Sequence, residues 1–261
     1  MARKRAEVDL ARRNRPRAEL ERLVSARSAA RSLSDALRGA GVSVIAEVKR
    51  GSPSAGILDA GIDAPARARL YEERGAAALS VLTDAEFDGR LADLEAVAAA
   101  VSVPVVRKDF LVDRWQIWES RAAGADAALL IVAALGPAEL EALVVESAAA
   151  DLGLLLEVHD RAEAEAAVDA GVAVIGVNAR DLSSLEVDVD SALSTVAWLR
   201  REAPDAVIVA ESGIAGEEGV RRALDAGADA VLVGEHLSRA VDPGSALERL
   251  VAAGRPPEGS P

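Results

Sequence analysis

The stretch AGADAALLI at residues 123–131 indicates how this chain folds, because its pattern returns three more times along the sequence. An alanine-rich helical segment ends in a glycine, and a run of apolar residues follows. Glycine just past the last helical turn is the common way to end a helix. The turns of this repeat lie at residues 74–76, 123–126, 170–172 and 226–229. Each turn therefore predicts a helix followed by a buried strand.

Four further apolar runs lie between these repeats, at about residues 43–48, 103–107, 153–158 and 206–210. Eight strands that alternate with helices indicate a parallel sheet, and eight such units close into a barrel. A doubly wound open sheet is the alternative, but the first strand is not followed by G-x-G-x-x-G. We predict a single-domain (β/α)8 TIM barrel of the α/β class over residues 44–253. Residues 1–43 would form an N-terminal helical extension, and residues 254–261 a disordered tail.

Composition narrows the classes of function. The chain has 261 residues, 51% of them hydrophobic, which suits one domain with a full-sized core. It has no cysteine, so a disulfide, a thiol nucleophile and a thiolate metal site are excluded. With only two histidines we predict no metal site. The N-terminus has no apolar signal region, and no 18-residue uncharged stretch occurs, so we expect a cytoplasmic protein without a membrane partner.

The charge is distributed unevenly along the chain. The net charge is −13, which argues against a nucleic-acid partner, yet residues 1–40 carry eleven basic and five acidic side chains. A basic arm could hold RNA, but this one has no aromatic residue. Its alanine and leucine content, with a break at Pro16, predicts two helices that dock on the acidic body. An anionic substrate would then need a local positive field.

Polar side chains stand at the ends of five apolar runs. Lysine makes up only three of the 30 basic residues, and two of the three, Lys49 and Lys108, lie at such ends. Unlike arginine, lysine has a pKa that its surroundings can tune. The strand period of two places Glu47 on the same side as Lys49. One such run could be a structural salt bridge, but the ends of barrel strands carry function, so we predict one shared site. The other runs contribute Lys108, Glu157, Asn178, Arg180 and Glu211.

Two turns and two aromatic residues suggest what the site binds. Ser212-Gly213 follows the seventh strand and Gly234-Glu235 the eighth, and backbone amides at these places form the usual phosphate cup of barrels. Either turn alone would be read as a plain β-to-α connection. The only two phenylalanines, Phe87 and Phe110, follow strands two and three and suit an aromatic ring, although core packing is their commoner role.

His159 shares a face with Glu157, but it is not counted among the predicted site residues. A histidine at a strand end more often serves as a capping or supporting group.

Eight segments in order resemble the indole-3-glycerol phosphate synthase family. They are IAEVKRGSPSAG at 45–56, SVLTD at 80–84, VRKDF at 106–110, GADAALLI at 124–131, LLEVHD at 155–160, IGVNARDL at 175–182, VAESGI at 209–214 and VLVGE at 231–235. The resemblance implies a TIM-barrel lyase of tryptophan biosynthesis. Such an enzyme converts 1-(o-carboxyphenylamino)-1-deoxyribulose 5-phosphate to indole-3-glycerol phosphate, with loss of carbon dioxide and water. It implies a phosphorylated small-molecule substrate and no cofactor or metal. We expect a monomer or weak homodimer.

The resemblance also implies roles for the strand-end residues. Ring closure needs an acid for the ketone oxygen, and Lys108 is the expected donor. Lys49 would bind the substrate carboxylate and assist later steps, and Glu157 would act as base in the dehydration. The residues expected to hold the sugar hydroxyls and orient the lysines are Glu47, Asn178 and Glu211. Those expected to surround the phosphate or add positive charge are Ser52, Arg180, Ser212, Gly213, Gly234 and Glu235.

Two other functions remain open at this stage. Another phosphate-binding barrel enzyme, such as a phosphoribosylanthranilate isomerase, would favour a carboxylate and thiol pair, but this chain has no cysteine. A catalytically idle barrel that serves as a complex subunit should have lost some strand-end charges. None of them is missing here.

Overall fold

The computed structural model describes residues 2–52, 56–57, 62–182 and 184–255, and the side chains of all of them except 51, 52, 56 and 57. Eight parallel strands pair in sequence order and close into a barrel, because the first strand pairs with both the second and the eighth. The predicted (β/α)8 barrel is confirmed. The strands are β1 (Ser43–Val48), β2 (Ala78–Leu82), β3 (Val105–Lys108), β4 (Ala127–Ile131), β5 (Gly153–Val158), β6 (Val174–Asn178), β7 (Val207–Glu211) and β8 (Ala230–Val233).

Helices alternate with these strands, and glycines end four of them as predicted. Gly75, Gly124, Gly171 and Gly227 adopt left-handed φ values of 91°, 101°, 67° and 92° just past their helices. The helices are α1 (Ala2–Asn14), α2 (Arg17–Ser25), α3 (Leu33–Leu37), α4 (Ala64–Glu73), α5 (Leu91–Ala100), α6 (Arg114–Ala122), α7 (Pro137–Ala149), α8 (Arg161–Asp169), α9 (Val189–Glu202), α10 (Gly216–Ala226), α11 (Glu235–Arg239) and α12 (Pro243–Ala253).

The barrel interior separates an apolar layer from a charged one. The apolar layer includes Ile45, Val106, Leu155 and Val209, all fully buried. Two residues further along β1, β3, β5 and β7, on the same inward face, lie Glu47, Lys108, Glu157 and Glu211. The ionisable groups therefore lie above the core and line the mouth of the barrel.

The N-terminal segment contains three helices, not the two predicted. The third, α3, has only five residues, too few to show a helical period in the sequence. It begins at Ser32, whose side chain accepts the backbone N–H of Asp35. Leu33 and Leu37 join the apolar cluster of the barrel interior. This helix therefore covers the end of the barrel opposite the mouth.

The predicted docking of the basic segment on the acidic body is confirmed. Arg5 pairs with Glu139 at 2.8 Å, and Arg17 with Glu146 at 2.7 Å. Lys4 is buried, and its ammonium contacts Asp84 and Asp109, which follow β2 and β3, and also Glu7 on its own helix. Opposite charges thus hold α1 against the loops at the barrel mouth.

We expect Lys4→Met to lower the free energy of unfolding by about 1–3 kcal/mol, the usual effect of leaving a buried polar group unsatisfied. Arg3 still faces Asp84 and Arg107 still faces Asp109, which limits the loss. Arg5→Met is the matched control, because its pair with Glu139 is half exposed and such pairs contribute about 0–1 kcal/mol. Urea denaturation at neutral pH measures both. Equal effects of the two variants would contradict the buried role of Lys4.

The described chain ends shortly after α12. The backbone N–H of Val42 donates to the carbonyl of Gly254 at 2.7 Å, which ties the end of α12 to the start of β1. Residues 256–261, most of the predicted tail, lie outside the described residues. None of the helices in the described ranges is both long and apolar enough to cross a lipid bilayer.

Candidate active site

A cavity of about 1070 Å³ opens at the C-terminal ends of the strands. It brings together the predicted site residues from seven βα units, as expected for a barrel. The side chain of Ser52 is not among those described. The predicted residues that line the cavity are Glu47, Lys49, Phe87, Lys108, Phe110, Glu157, Asn178, Arg180, Glu211, Ser212, Gly213, Gly234 and Glu235.

Lys108 is the central cation of this cavity. Its Nζ donates to Glu157 Oε2 at 3.1 Å and to Glu211 Oε2 at 3.2 Å. Both carboxylates are almost completely buried, whereas the lysine side chain keeps 17% of its surface exposed. A buried acid is stable only beside a compensating charge. The three groups therefore form one ionic cluster with its positive end open to the cavity.

The surroundings shift the pKa values of the three groups of this cluster in different directions. Burial alone would lower the pKa of Lys108, but Glu157, Glu211 and Glu47 outweigh it and raise that pKa above its ordinary value. Burial works to raise the pKa of Glu157, yet Lys108, Asn178 and His159 hold it below its ordinary value. Burial, with repulsion from Glu157, raises the pKa of Glu211 to about 7. Two carboxyls with pKa values moved apart are typical of sites in which one acts as base.

The pKa of Glu211 has a consequence for stability. The folded chain binds this proton more tightly than the unfolded chain, so the stabilisation is complete below about pH 4.5 and is lost as pH rises through about 7. Glutamine mimics the protonated form and cannot ionise. We expect Glu211→Gln to gain stability over the parent by about 3 kcal/mol between pH 4.5 and 8.

Thermal unfolding across this pH range measures the gain. Glu248→Gln is the control, since Glu248 is half exposed and pairs with Arg74 on the surface. A Glu211→Gln variant that melts below the parent at pH 8 would show that ionised Glu211 stabilises the fold, which would contradict the raised pKa.

Lys49 and Glu47 form a second ion pair beside the first. Lys49 Nζ lies 3.1 Å from Glu47 Oε1, and both side chains are buried. A Cβ atom at Gly234 would run into the Glu47 carboxylate and would lie 3.0 Å from Lys49 Nζ. Gly176 leaves room for the Glu211 carboxylate in the same way. These two glycines are therefore needed for the space they leave to the charged groups.

The turn after β7 has an unusual backbone. Ser212 and Gly213 both adopt left-handed conformations, with φ values of 61° and 67°. Positive φ is uncommon for serine and is found mainly where a site requires it. A side chain at Gly213 would clash with Val187 and Val189. The turn thus holds consecutive backbone amides in place at the edge of the cavity.

Next to this turn, Glu235 is neutralised by two arginines. Its carboxylate lies 3.6 Å from Arg180 and 3.0 Å from Arg239. Because two arginines surround the single negative charge of Glu235, the local field stays positive, and a positive field favours an anionic ligand.

Apolar side chains also line the cavity. Phe87 lies in a 3-10 turn after β2, and Phe110 follows β3. Leu182 and Leu185, on the loop after β6, also line the cavity and are 40% and 46% exposed. The sequence reasoning missed these leucines, although two apolar residues in a polar loop are a usable signal of a binding surface.

The VRKDF segment divides its charges between two surfaces. Lys108 faces the cavity. Arg107 contacts Glu119 and Ser120 on α6, and Asp109 accepts a hydrogen bond from Lys4. Neighbouring residues of a strand point to opposite faces, so Arg107 belongs to the outer layer.

Comparisons with known proteins bear on the family of this chain. The profile of the family described as "Indole-3-glycerol phosphate synthase" matches residues 1–250. A Streptomyces griseus protein named indole-3-glycerol phosphate synthase is 53% identical over 224 residues, which is 85% of this chain and 82% of that protein. Indole-3-glycerol phosphate synthase 1 of Streptomyces coelicolor is 50% identical over 255 residues, 96% of this chain and 93% of that protein.

Solved structures support the fold alone. A crystal structure of 3-hexulose-6-phosphate synthase superposes with a TM-score of 0.66 at 15% identity and covers 81% of this chain and 99% of its own. At this identity the likeness concerns the barrel. The family profile matches nearly the whole chain, and curated members are about half identical over most of it, so this chain belongs to the indole-3-glycerol phosphate synthase family.

Proposed function

We propose that this chain is an indole-3-glycerol-phosphate synthase. It closes the indole ring of 1-(o-carboxyphenylamino)-1-deoxyribulose 5-phosphate and releases carbon dioxide and water. The observation that carries the proposal is the position of Lys108, held between Glu157 and Glu211 in a cavity that two phenylalanines also line. A ring-closing enzyme needs such a proton donor close to an aromatic substrate.

The first step forms a carbon–carbon bond. The ring carbon that bears the carboxylate attacks the ketone carbon, and the ketone oxygen takes a proton from Lys108 to become a hydroxyl. The carbon–carboxylate bond then breaks, and its electron pair restores the aromatic ring as carbon dioxide leaves. Because the pKa of Lys108 is raised, the lysine begins the cycle protonated, as a general acid must.

The second step removes water. The hydroxyl leaves with a proton from an ammonium group, and Glu157 takes a proton from the carbon next to the ring nitrogen, so that the double bond of the indole forms. The lowered pKa of Glu157 keeps it ionised for this task. Lys49, paired with Glu47, stands ready to bind the substrate carboxylate before it departs.

We assign the phosphate to the amides of Ser212, Gly213, Gly234 and Glu235, with positive charge from Arg180. The left-handed turn at Ser212-Gly213 supports this assignment, because successive amides in such turns form anion-binding concavities. Ser52 joins the proposal from the sequence alone. Asn178 and Glu211 would hold the sugar hydroxyls.

The phosphate assignment is testable by mutation and crystallography. Gly213→Ala should raise KM roughly 10-fold with a smaller effect on kcat, because a strained left-handed residue disfavours the turn by about 1–3 kcal/mol. Gly39→Ala is the control, since a Cβ there meets no atom within 4 Å. Crystals grown in sulfate should place an anion on these amides. An anion found only elsewhere, with KM unchanged in Gly213→Ala, would overturn the assignment.

Incubation with the carboxyphenylamino-deoxyribulose phosphate, followed by indole fluorescence, tests the proposed function directly. The idle-barrel alternative predicts no signal. The isomerase alternative is no longer supported, because the chain belongs to the synthase family. We further propose that the enzyme works in the cytoplasm as a monomer or weak homodimer, without nucleic acid or membrane. Size-exclusion chromatography with light scattering tests its oligomeric state.

A further inference from the structure

The proposed reaction consumes one proton in each turnover. The substrate carries a carboxylate that the product lacks, while carbon dioxide and water leave uncharged. Ring closure takes one proton, loss of water takes a second, and Glu157 recovers only one from carbon. One proton must therefore reach the lysines from solvent before the next cycle.

A histidine lies beside the buried carboxylate that contacts Lys108. His159 directly follows β5, and its Nε2 lies 3.5 Å from Glu157 Oε1. This Nε2 atom is buried and has no hydrogen-bond partner among the described residues. The other carboxylate oxygen of Glu157, Oε2, accepts a hydrogen bond from Lys108 Nζ at 3.1 Å. Glu157 is thus positioned between the imidazole and the lysine.

The other side of the imidazole leads outward. Glu163 on α8 lies 3.1 Å from His159 Nδ1 through its Oε2, and the same oxygen accepts the backbone N–H of His159 at 2.8 Å. These two bonds fix the orientation of the ring. The side chain of Glu163 is 21% exposed and that of His159 13%, whereas Glu157 is almost fully buried. The three groups form a path from the protein surface to the base of the cavity.

We propose that His159 is the proton inlet of the site, meaning that it delivers protons from solvent to Glu157 and Lys108, and that Glu163 holds its imidazole in position. The inference rests on the proposed function. Solvent protonates the Glu163 and His159 pair, and the Nε2 proton passes to Glu157 Oε1. A half-turn of the protonated carboxyl group about its Cγ–Cδ bond then brings this O–H to the neutral amine of Lys108, which takes the proton. Each hop breaks one bond to hydrogen and forms another, and the carboxylate and imidazole return to their initial states.

The charges around His159 favour the protonated form of its imidazole. Burial works to lower the pKa of His159, but Glu163, Glu157 and Glu211 raise it above its ordinary value. The raised pKa favours the imidazolium form, in which both nitrogens are donors. Lys108 is the cation on the far side of Glu157, and once it has given up its proton it becomes the natural acceptor.

Two substitutions separate proton delivery from positioning. His159→Gln keeps an N–H group near Glu157, and His159→Asn keeps one near Glu163, but neither amide transmits a proton. The first turnover uses protons already on the lysines. We therefore expect single-turnover rates within about two-fold of the parent, and steady-state kcat lowered about 10-fold or more, because only exchange through the open mouth remains.

Added imidazole should restore kcat in both variants as its concentration rises, without changing the single-turnover rate. Glu163→Gln should lower kcat in the same sense. Glu165→Gln is the matched control, since Glu165 lies on the same helix, is largely exposed and pairs with Arg161. Melting temperatures within a few degrees of the parent confirm that the variants fold.

The outcomes are distinct. If single-turnover and steady-state rates fall together and imidazole has no effect, His159 only orients Glu157 and the inlet is overturned. The same holds if the folded variants keep the parent's kcat, since Lys108 then recovers its proton directly from solvent. An inactive parent chain would overturn the proposed function instead.

Discussion

Lys108→Arg is expected to lower kcat by about 10² or more, although the substitution preserves the positive charge. General acid catalysis contributes about 10²–10⁴ to the rate. The carboxylates that raise the pKa of Lys108 would hold a guanidinium, which is intrinsically the weaker acid, still more firmly in its protonated form. If attraction alone mattered, arginine would serve, because it pairs well with carboxylates. We expect Lys108→Arg to fall as far as Lys108→Met in kcat, while KM changes much less in the arginine variant.

Two controls distinguish the loss of a proton donor from a misfit of the larger arginine side chain. The planar guanidinium is larger than the ammonium that now lies 3.1 and 3.2 Å from two carboxylates, so a crystal structure of the variant must show Glu157 and Glu211 in place. Lys49→Arg provides the matched substitution. If Lys49 mainly binds the substrate carboxylate, its arginine variant keeps a larger share of kcat. The assignment of Lys108 as acid is falsified if Lys108→Arg turns over substrate within a few-fold of the parent.

Glu157→Gln should also lower kcat by on the order of 10² or more, because an amide cannot accept the carbon-bound proton during dehydration. The fold should tolerate the change. Lys108 keeps Glu211 as its partner, and the amide fills nearly the same volume as the carboxylate. We therefore expect the melting temperature to shift by only a few degrees.

A quenched-flow experiment sharpens the assignment of Glu157. If it acts in the dehydration half, the ring-closed, hydroxylated intermediate should accumulate in Glu157→Gln while carbon dioxide is still released in the first turnover. Loss of carbon dioxide release together with indole formation would place Glu157 earlier, at ring closure. A large drop in melting temperature with activity retained would instead make the residue structural.

The sequence by itself determined the barrel and the position of the site within it. Both follow from local rules: glycines end four helices, the strand period of two places Glu47 with Lys49, and parallel strands bring their C-terminal ends to one edge. The third helix of the extension was missed because a five-residue segment shows no period. No structural information was needed to predict that lysines, glutamates and two glycine turns meet at one mouth.

Only the tertiary structure decided which groups pair. Glu157 and Glu211 lie 49 and 103 positions from Lys108 along the chain, and no local pattern specifies contacts at such separations. Their unequal proton affinities arise from the charges and burial around each, which depend on the closed barrel. The same holds for Lys4 against Asp84 and Asp109, and for His159 facing Glu157. Composition and period act along the chain, whereas electrostatics and desolvation act across the space that folding creates.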